Sequence, residues 1–313
     1  MGRMEERLYN TIKSHYDSID LEYEEQGERL AVFFTAALES KELSCISYVD
    51  SEFQVFGTFS VLEYELARKH REEILWLINE INSSLSVGRF FYSEEDSKIR
   101  CIIESTYDES LISKSVVADM LVFLFNNAAS IEKAIVGLNE GELTKEQSLD
   151  LYYEHELLLS NSQFIDNTDK VYNVLCDAFD SIEYSYERRP ENMSIVFSST
   201  GDDEPVGYSI RTMRDFKAIR LVAYACDADA KNEKTMLDAV NCANNNIGIG
   251  SFELSSGSIY YVSNLFFAES LISKESVLDL FRMSMEICDE LNDKFDGLNK
   301  GTISIEEFKE FFE

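Results

Sequence analysis

The segment nearest to recognisable chemistry is residues 296–308 of the 313-residue chain. Set on the twelve-residue calcium loop of an EF-hand, it supplies Asp296 at position 1, Gly301 at 6, Ile303 at 8 and Glu307 at 12. Leu298 and Lys300 fall at positions 3 and 5, where carboxylates or amides should hold the ion. An ammonium there repels a dication. The matching stretch of the first half carries Val136 and Gln147 at the two ends. The other reading is a helix-turn-helix tail in which Thr144 or Ser304 caps the final helix. His15, His70 and His155 are solitary, and no nucleophile elbow, Walker A loop or dinucleotide fingerprint occurs; Gly248-Ile249-Gly250 precedes a strand instead of opening a helix. Asn244-Asn245-Asn246 suits a helix end as well as a ligand. Acidic pairs such as Glu24-Glu25 are unspecific in a chain with 59 Asp+Glu. The expectation is no catalytic residue, no metal and no cofactor.

Those 59 acids face 28 Lys+Arg, a formal net charge of −31. Such a surface repels phosphate backbones and anionic lipid heads, so neither nucleic acid nor membrane is an expected partner. Hydrophobic residues make up 45%, enough for packed cores, and the length fits about two domains. The six cysteines, at 45, 101, 176, 226, 242 and 288, contain no C-x-x-C. Residues 1–6 lack the apolar core of a secretory signal, and no run of 18 or more apolar residues is seen. Glu6 stands where a myristoylation motif after Gly2 wants Ser or Thr. Reduced, buried thiols in a cytoplasmic protein are expected.

The elements that must position any site appear twice. Glu109-Ser110-Leu111-Ile112-Ser113-Lys114 recurs intact as Glu269-Ser270-Leu271-Ile272-Ser273-Lys274, an offset of 269 − 109 = 160. Gly137-Leu138-Asn139 returns as Gly297-Leu298-Asn299, with Gly141 answered by Gly301. Upstream, Asn79, Asn82, Gly88 and Phe90 correspond to Asn241, Asn244, Gly250 and Phe252, and Asp17-Ser18-Ile19 to Asp180-Ser181-Ile182. This is a tandem duplication with small loop indels. We divide it into a first repeat with a linker helix, residues 1–162, and a second repeat, 163–313. The linker helix runs from Gly141 to about Gln163 and ends near Asn161-Ser162.

Each copy opens with a helical stripe: Leu8, Ile12, Tyr16 and Ile19, then Val171, Leu175, Phe179 and Ile182. Three β-rich stretches follow, at 21–23 with 31–35, 45–49 and 53–59 in the first copy, and at 184–186 with 195–197, 208–213 and 216–224 in the second. A second helix carries Ile74, Leu77, Ile81 and Leu85, matched by Met236, Val240 and Ile247. A hairpin comes next, with Gly257 in its second-copy turn. Ser113 or Ser273 then caps a third helix, lined in the first copy by Val117, Met120, Leu121, Leu124, Ala128, Ile131 and Ile135. The fold class is α+β: a duplicated α-β-β-β-α-β-β-α unit with antiparallel sheets packed on helices, plus C-terminal tail helices.

That order, with Asn79, Asn82, Gly88 and Phe90 leading to Ser113 and their second-copy counterparts, resembles the type III secretion chaperone fold and the bacterial YbjN family. The resemblance implies a non-enzymatic protein-binding role or that of a putative sensory transduction regulator, without catalytic residues. The acidic surface suits a basic or amphipathic partner. The alternatives are an enzyme with an unrecognised acidic site between the domains, or a degenerate EF-hand-like calcium-binding protein.

Secretion chaperones of this kind work as homodimers, and a duplicated chain could supply both halves of such an interface as a pseudo-dimeric monomer. The candidate interface residues are Phe53, Phe56, Phe59 and Trp76. In the stretch 53–59, Phe56 points away from Phe53 and Phe59, while Trp76 lies off the stripe of its helix. Apolar groups on both strand faces suggest two surfaces to bury against, with Phe56 at the second. The plainer alternative is a central strand covered twice within its own copy.

Overall fold

The computed structural model describes residues 3–37, 42–52, 54–64, 66–107, 113–159, 168–199, 206–267 and 272–312. The chain divides into two compact units, Met1–Phe164 and Ile165–Glu313. Unit 1 runs α1 (Arg3–Ser18), β1 (Glu24–Gln26), β2 (Ala31–Ala37), β3 (Glu42–Asp50), β4 (Val55–Leu62), α2 (Arg71–Ser84), β5 (Arg89–Ser93), β6 (Lys98–Thr106), α3 (Lys114–Glu140) and α4 (Lys145–Leu159). Unit 2 repeats the order with α5 (Thr168–Ser181), β7 (Glu187–Arg189), β8 (Ser194–Ser199), β9 (Val206–Met213), β10 (Ala218–Asp227), α6 (Glu233–Asn246), β11 (Ser251–Ser255), β12 (Ser258–Phe266), α7 (Lys274–Lys300) and α8 (Ile305–Glu310). Each unit holds one six-stranded antiparallel sheet, ordered β1-β2-β3-β4-β6-β5 and, equivalently, β7-β8-β9-β10-β12-β11. The α+β class and the repeated sheet unit are as the sequence implies.

Four local expectations need correction. The first paired strand is the exposed Glu24–Gln26, bonded to β2, not residues 21–23. Ile19 and Ile182 leave the apolar stripe and are 51% and 42% exposed. Each follows the last helical residue, and a positive φ at Asp20 or Glu183 turns the chain toward the sheet. Ser113 precedes α3 without accepting a backbone N–H; its hydroxyl meets Ser115 Oγ at 2.6 Å, whereas Ser273 accepts from Ser276 N at 3.0 Å. The linker helix begins at Lys145, not Gly141, whose left-handed backbone instead closes α3, and its expected end at Asn161-Ser162 lies outside the described residues.

The repeated residues are fasteners. Asn82, buried on α2, donates from Nδ2 to the Phe90 carbonyl (2.8 Å) and accepts the Phe90 N–H at Oδ1 (2.8 Å). Asn244 does the same to Phe252, at 2.9 and 2.7 Å. A single amide thus satisfies both backbone groups that the edge strand turns away from its partner. Gly88 and Gly250 precede these strands at φ +81° and +76°, and a Cβ there would come within 2.7 Å of the Ile102 carbonyl or 2.6 Å of the Val262 carbonyl. Only glycine fits.

The long helices close alike. The N–H groups of Gly141 and Glu142 bond back to Leu138 and Gly137, and those of Gly301 and Thr302 to Leu298 and Gly297. Both closures are Schellman motifs. Asn139 and Asn299 then accept, at 2.7 and 2.9 Å, the N–H of Ala67 or Asp229 in the loop ahead of α2 or α6. Thr144 with Gln147, and Ser304 with Glu307, form reciprocal caps on α4 and α8.

Alternation along the strands gives each sheet two faces. In unit 1 the inner face carries Val32, Phe34, Cys45, Ser47, Phe56 and Cys101, all buried. Tyr16 of α1 bonds Ser47 there and meets Phe34 edge-on at 5.2 Å, and Phe125 of α3 adds a further ring at 6.4 Å. The residues expected to line α3, from Val117 to Ile135, are buried. α3 is also the one helix, among the described residues, long and apolar enough to cross a membrane. More than half of that stretch is buried inside the molecule, consistent with the core helix of a folded unit.

Candidate functional site

The structure separates the candidate interface residues. Phe53 lies outside the described residues. Phe56 is 2% exposed on the helix-covered face, which corrects its assignment to a second surface. Phe59 stands on the opposite face of the same strand and is half-buried. Trp76 is half-buried on α2, with Lys145 Nζ 4.3 Å from its ring centre. That contact ties α2 to the start of α4 and is not shared with Phe59.

Phe59 belongs to a row that runs across the strands. Register places Phe33 of β2, Ile46 of β3, Phe59 of β4 and Ile102 of β6 side by side, with Glu24 of β1 and Arg89 of β5 at the two ends. Phe33, Ile46 and Phe59 are half-buried, and Glu24 is exposed. Phe33 and Ile46 went unnoticed in the sequence. Nothing local marks them, because the row forms only when register sets β2, β3 and β4 side by side.

Arginines flank the row, each held by a carboxylate. Arg89 pairs with Glu104, both buried, and Tyr48 Oη donates to Glu104 Oε1 at 3.1 Å. Burial first, then the Glu104 charge, pushes the Tyr48 phenol well above its usual range. Arg100 pairs with Asp96 at 3.0 Å and lies over the Phe59 ring, 6.0 Å from its centre.

The matching row of unit 2 reads Glu187, Val196, Ser209, Val222, Val262 and Ser251. Here Arg220, in the register of Gly57, pairs with Glu253 at 3.3 Å. Burial raises the Glu253 carboxyl to about 7, with Arg220 pulling the other way.

The remaining chemical candidates have local jobs. Asp296 is salt-bridged to Lys300 at 2.6 Å, and Glu307 accepts the Ser304 N–H of its helix cap. Of the asparagine triplet, Asn244 clamps Phe252, while Asn245 and Asn246 donate to the carbonyls of Asn241 and Cys242. All six cysteines are free thiols, and burial pushes those of Cys45 and Cys226 up to about 12, so they are inert as nucleophiles. A surface cavity of about 500 Å³ beside α1 is lined by Arg7, Thr11, Ser14 and Lys114 among others. Among the described residues its lining includes hydroxyls and Lys114 but no histidine or carboxylate. Among the described residues no group of three His, Cys, Asp or Glu is arranged to hold a metal.

No protein-family model, curated protein or solved structure matches this chain.

Proposed function

We propose that this is a non-enzymatic binding protein built from two chaperone-like repeats of the secretion-chaperone or YbjN kind. It holds a protein or peptide partner in the cytoplasm and works as a single chain. The observation that carries this reading is the apolar row Phe33, Ile46 and Phe59, on the sheet face opposite the one that α1 and α3 cover. Half-buried aromatic and aliphatic side chains in register offer contact area without reactive groups. The free thiols support a reducing compartment.

The test is affinity purification from native lysate at low and high salt, with Phe59→Glu run alongside. A stoichiometric protein retained by the native chain and lost by the variant supports the reading. Recovery of no partner at either salt ends it. Light scattering is expected to give one chain mass, 35.9 kDa. A stable dimer removes the single-chain part of the proposal.

A further inference from the structure

We infer that the duplicated chain offers one partner site, not two: the row Phe33, Ile46 and Phe59 seats a basic amphipathic helix, and the matching face of unit 2 does not. This deepens the binding reading above and rests on it.

Three features of unit 1 select the occupant. The first is length. Three adjacent strands at their usual spacing put Phe33 and Phe59 about 10 Å apart. On an α-helix, residues i and i+7 are also about 10.5 Å apart, so apolar anchors at i, i+3 or i+4, and i+7 would meet the three side chains in turn. The second is charge. Glu24, opposite Phe33, and Glu42, on the same face at the start of β3, are both exposed, while the face's arginines are already ion-paired with Asp96 and Glu104. The rim is therefore acidic, in a chain of net charge −31, and complements lysines or arginines beside the apolar anchors. A second copy of this chain would bring the same negative charge against itself.

The third feature is the contrast with unit 2. The three positions hold Val196, Ser209 and Val222, so both rings are gone and a hydroxyl sits between the remaining anchors. Glu187, the counterpart of Glu24, is paired with Arg189 at 3.0 Å. Arg211, in the register of Tyr48, is exposed on the face and would repel a basic helix.

The experiment titrates the full chain into a dye-labelled amphipathic Leu/Lys peptide of roughly four turns, with a Leu/Glu peptide of the same length for comparison. Fluorescence anisotropy is read at about 0.05 M and about 0.5 M salt. Expected are one peptide per chain, binding weakened by salt, and little affinity for the acidic peptide. Phe59→Glu should weaken binding about tenfold or more, and Glu24→Lys, on an exposed side chain, by several-fold. Val222→Glu, at the equivalent position of unit 2, should leave it unchanged. Circular dichroism of each variant separates lost binding from lost folding, and the exposed Glu24→Lys keeps the test alive if Phe59→Glu misfolds. Two peptides per chain, equal binding of the acidic peptide, or equal sensitivity to Val222→Glu overturns the inference. A partner captured from lysate that Phe59→Glu still retains removes this site but keeps the binding function, whereas failure to capture any partner removes the function itself.

Discussion

Three hydroxyl-bearing side chains in the core of unit 1 are replaced by hydrocarbon in the core of unit 2. Tyr16, Ser47 and Thr58 form a buried hydrogen-bonded chain in unit 1. At the corresponding helix and strand positions unit 2 has Phe179, Ile210 and Leu221. Around them Phe179, Tyr184, Phe197 and Tyr208 converge on Phe281 of α7, with ring centres 5.1–5.6 Å from it. Both solutions support the same sheet order. What the copies share instead are groups aimed at the backbone: the Asn82 and Asn244 clamps, the glycines before the edge strands, the Schellman closures and the reciprocal caps. Backbone polar groups have few ways to be satisfied, while a core volume can be filled in many. The duplicated frame resists change more than its filling does.

The largest test of that division is Phe281→Ala. Removing the hub of the aromatic cluster should cost unit 2 about 3–5 kcal/mol. Hydrogen exchange followed peptide by peptide should show faster exchange throughout unit 2, with unit 1 unaffected. Equal loss in both units would break the comparison.

The clamps should behave alike wherever they stand. Asn82→Ala and Asn244→Ala each strand a buried N–H and a buried carbonyl, at about 2–4 kcal/mol per variant. Denaturant titration should give matching losses for the two. A cost near zero for either would mean that water replaces the amide.

A pH dependence belongs to unit 2. The Glu253 carboxyl, raised to about 7 in the folded state, binds its proton more tightly there than in the unfolded chain. Its contribution is therefore greatest at low pH and is lost as pH rises from the ordinary carboxylate range through about 7. Glu253→Gln should flatten that slope and stabilise unit 2 at pH 8, by up to about 3 kcal/mol. Thermal melts at pH 5 and pH 8 check the sign. A slope unchanged by Glu253→Gln would assign it to another group.

The smallest effect imports a residue from one core into the other. Ser60 Oγ is buried with no hydrogen-bond partner among the described residues, and Ala223 occupies its register in unit 2. Ser60→Ala should stabilise unit 1 by about 1 kcal/mol, read as a shift in denaturation midpoint. Destabilisation instead would reveal a bond that the hydroxyl makes.

Much of the frame was legible in the sequence because it depends on local chemistry. Thr144 and Ser304 announce helix caps, and a recurring hexapeptide announces the duplication. The short strand Glu24–Gln26 was not legible: nothing in Glu-Glu-Gln favours a strand, and its pairing with β2 is a tertiary event. Alternation correctly put Phe56 and Phe59 on opposite faces but could not say which face the helices cover. That choice is made by Tyr16 and Phe125, distant in sequence from β4. The same blindness hid Phe33 and Ile46, whose row exists only once register brings separate strands together.

The placement of Trp76 gives the molecule a built-in spectroscopic asymmetry. It is the only tryptophan in the chain and sits in unit 1, half-buried with an ammonium over its ring. Intrinsic emission therefore watches one repeat alone, while far-ultraviolet dichroism sums the helices of both. Recorded on one sample, the two signals form a gauge of cooperativity: superimposable melts mean that the repeats fold as one body, and separated melts give the order in which they come apart.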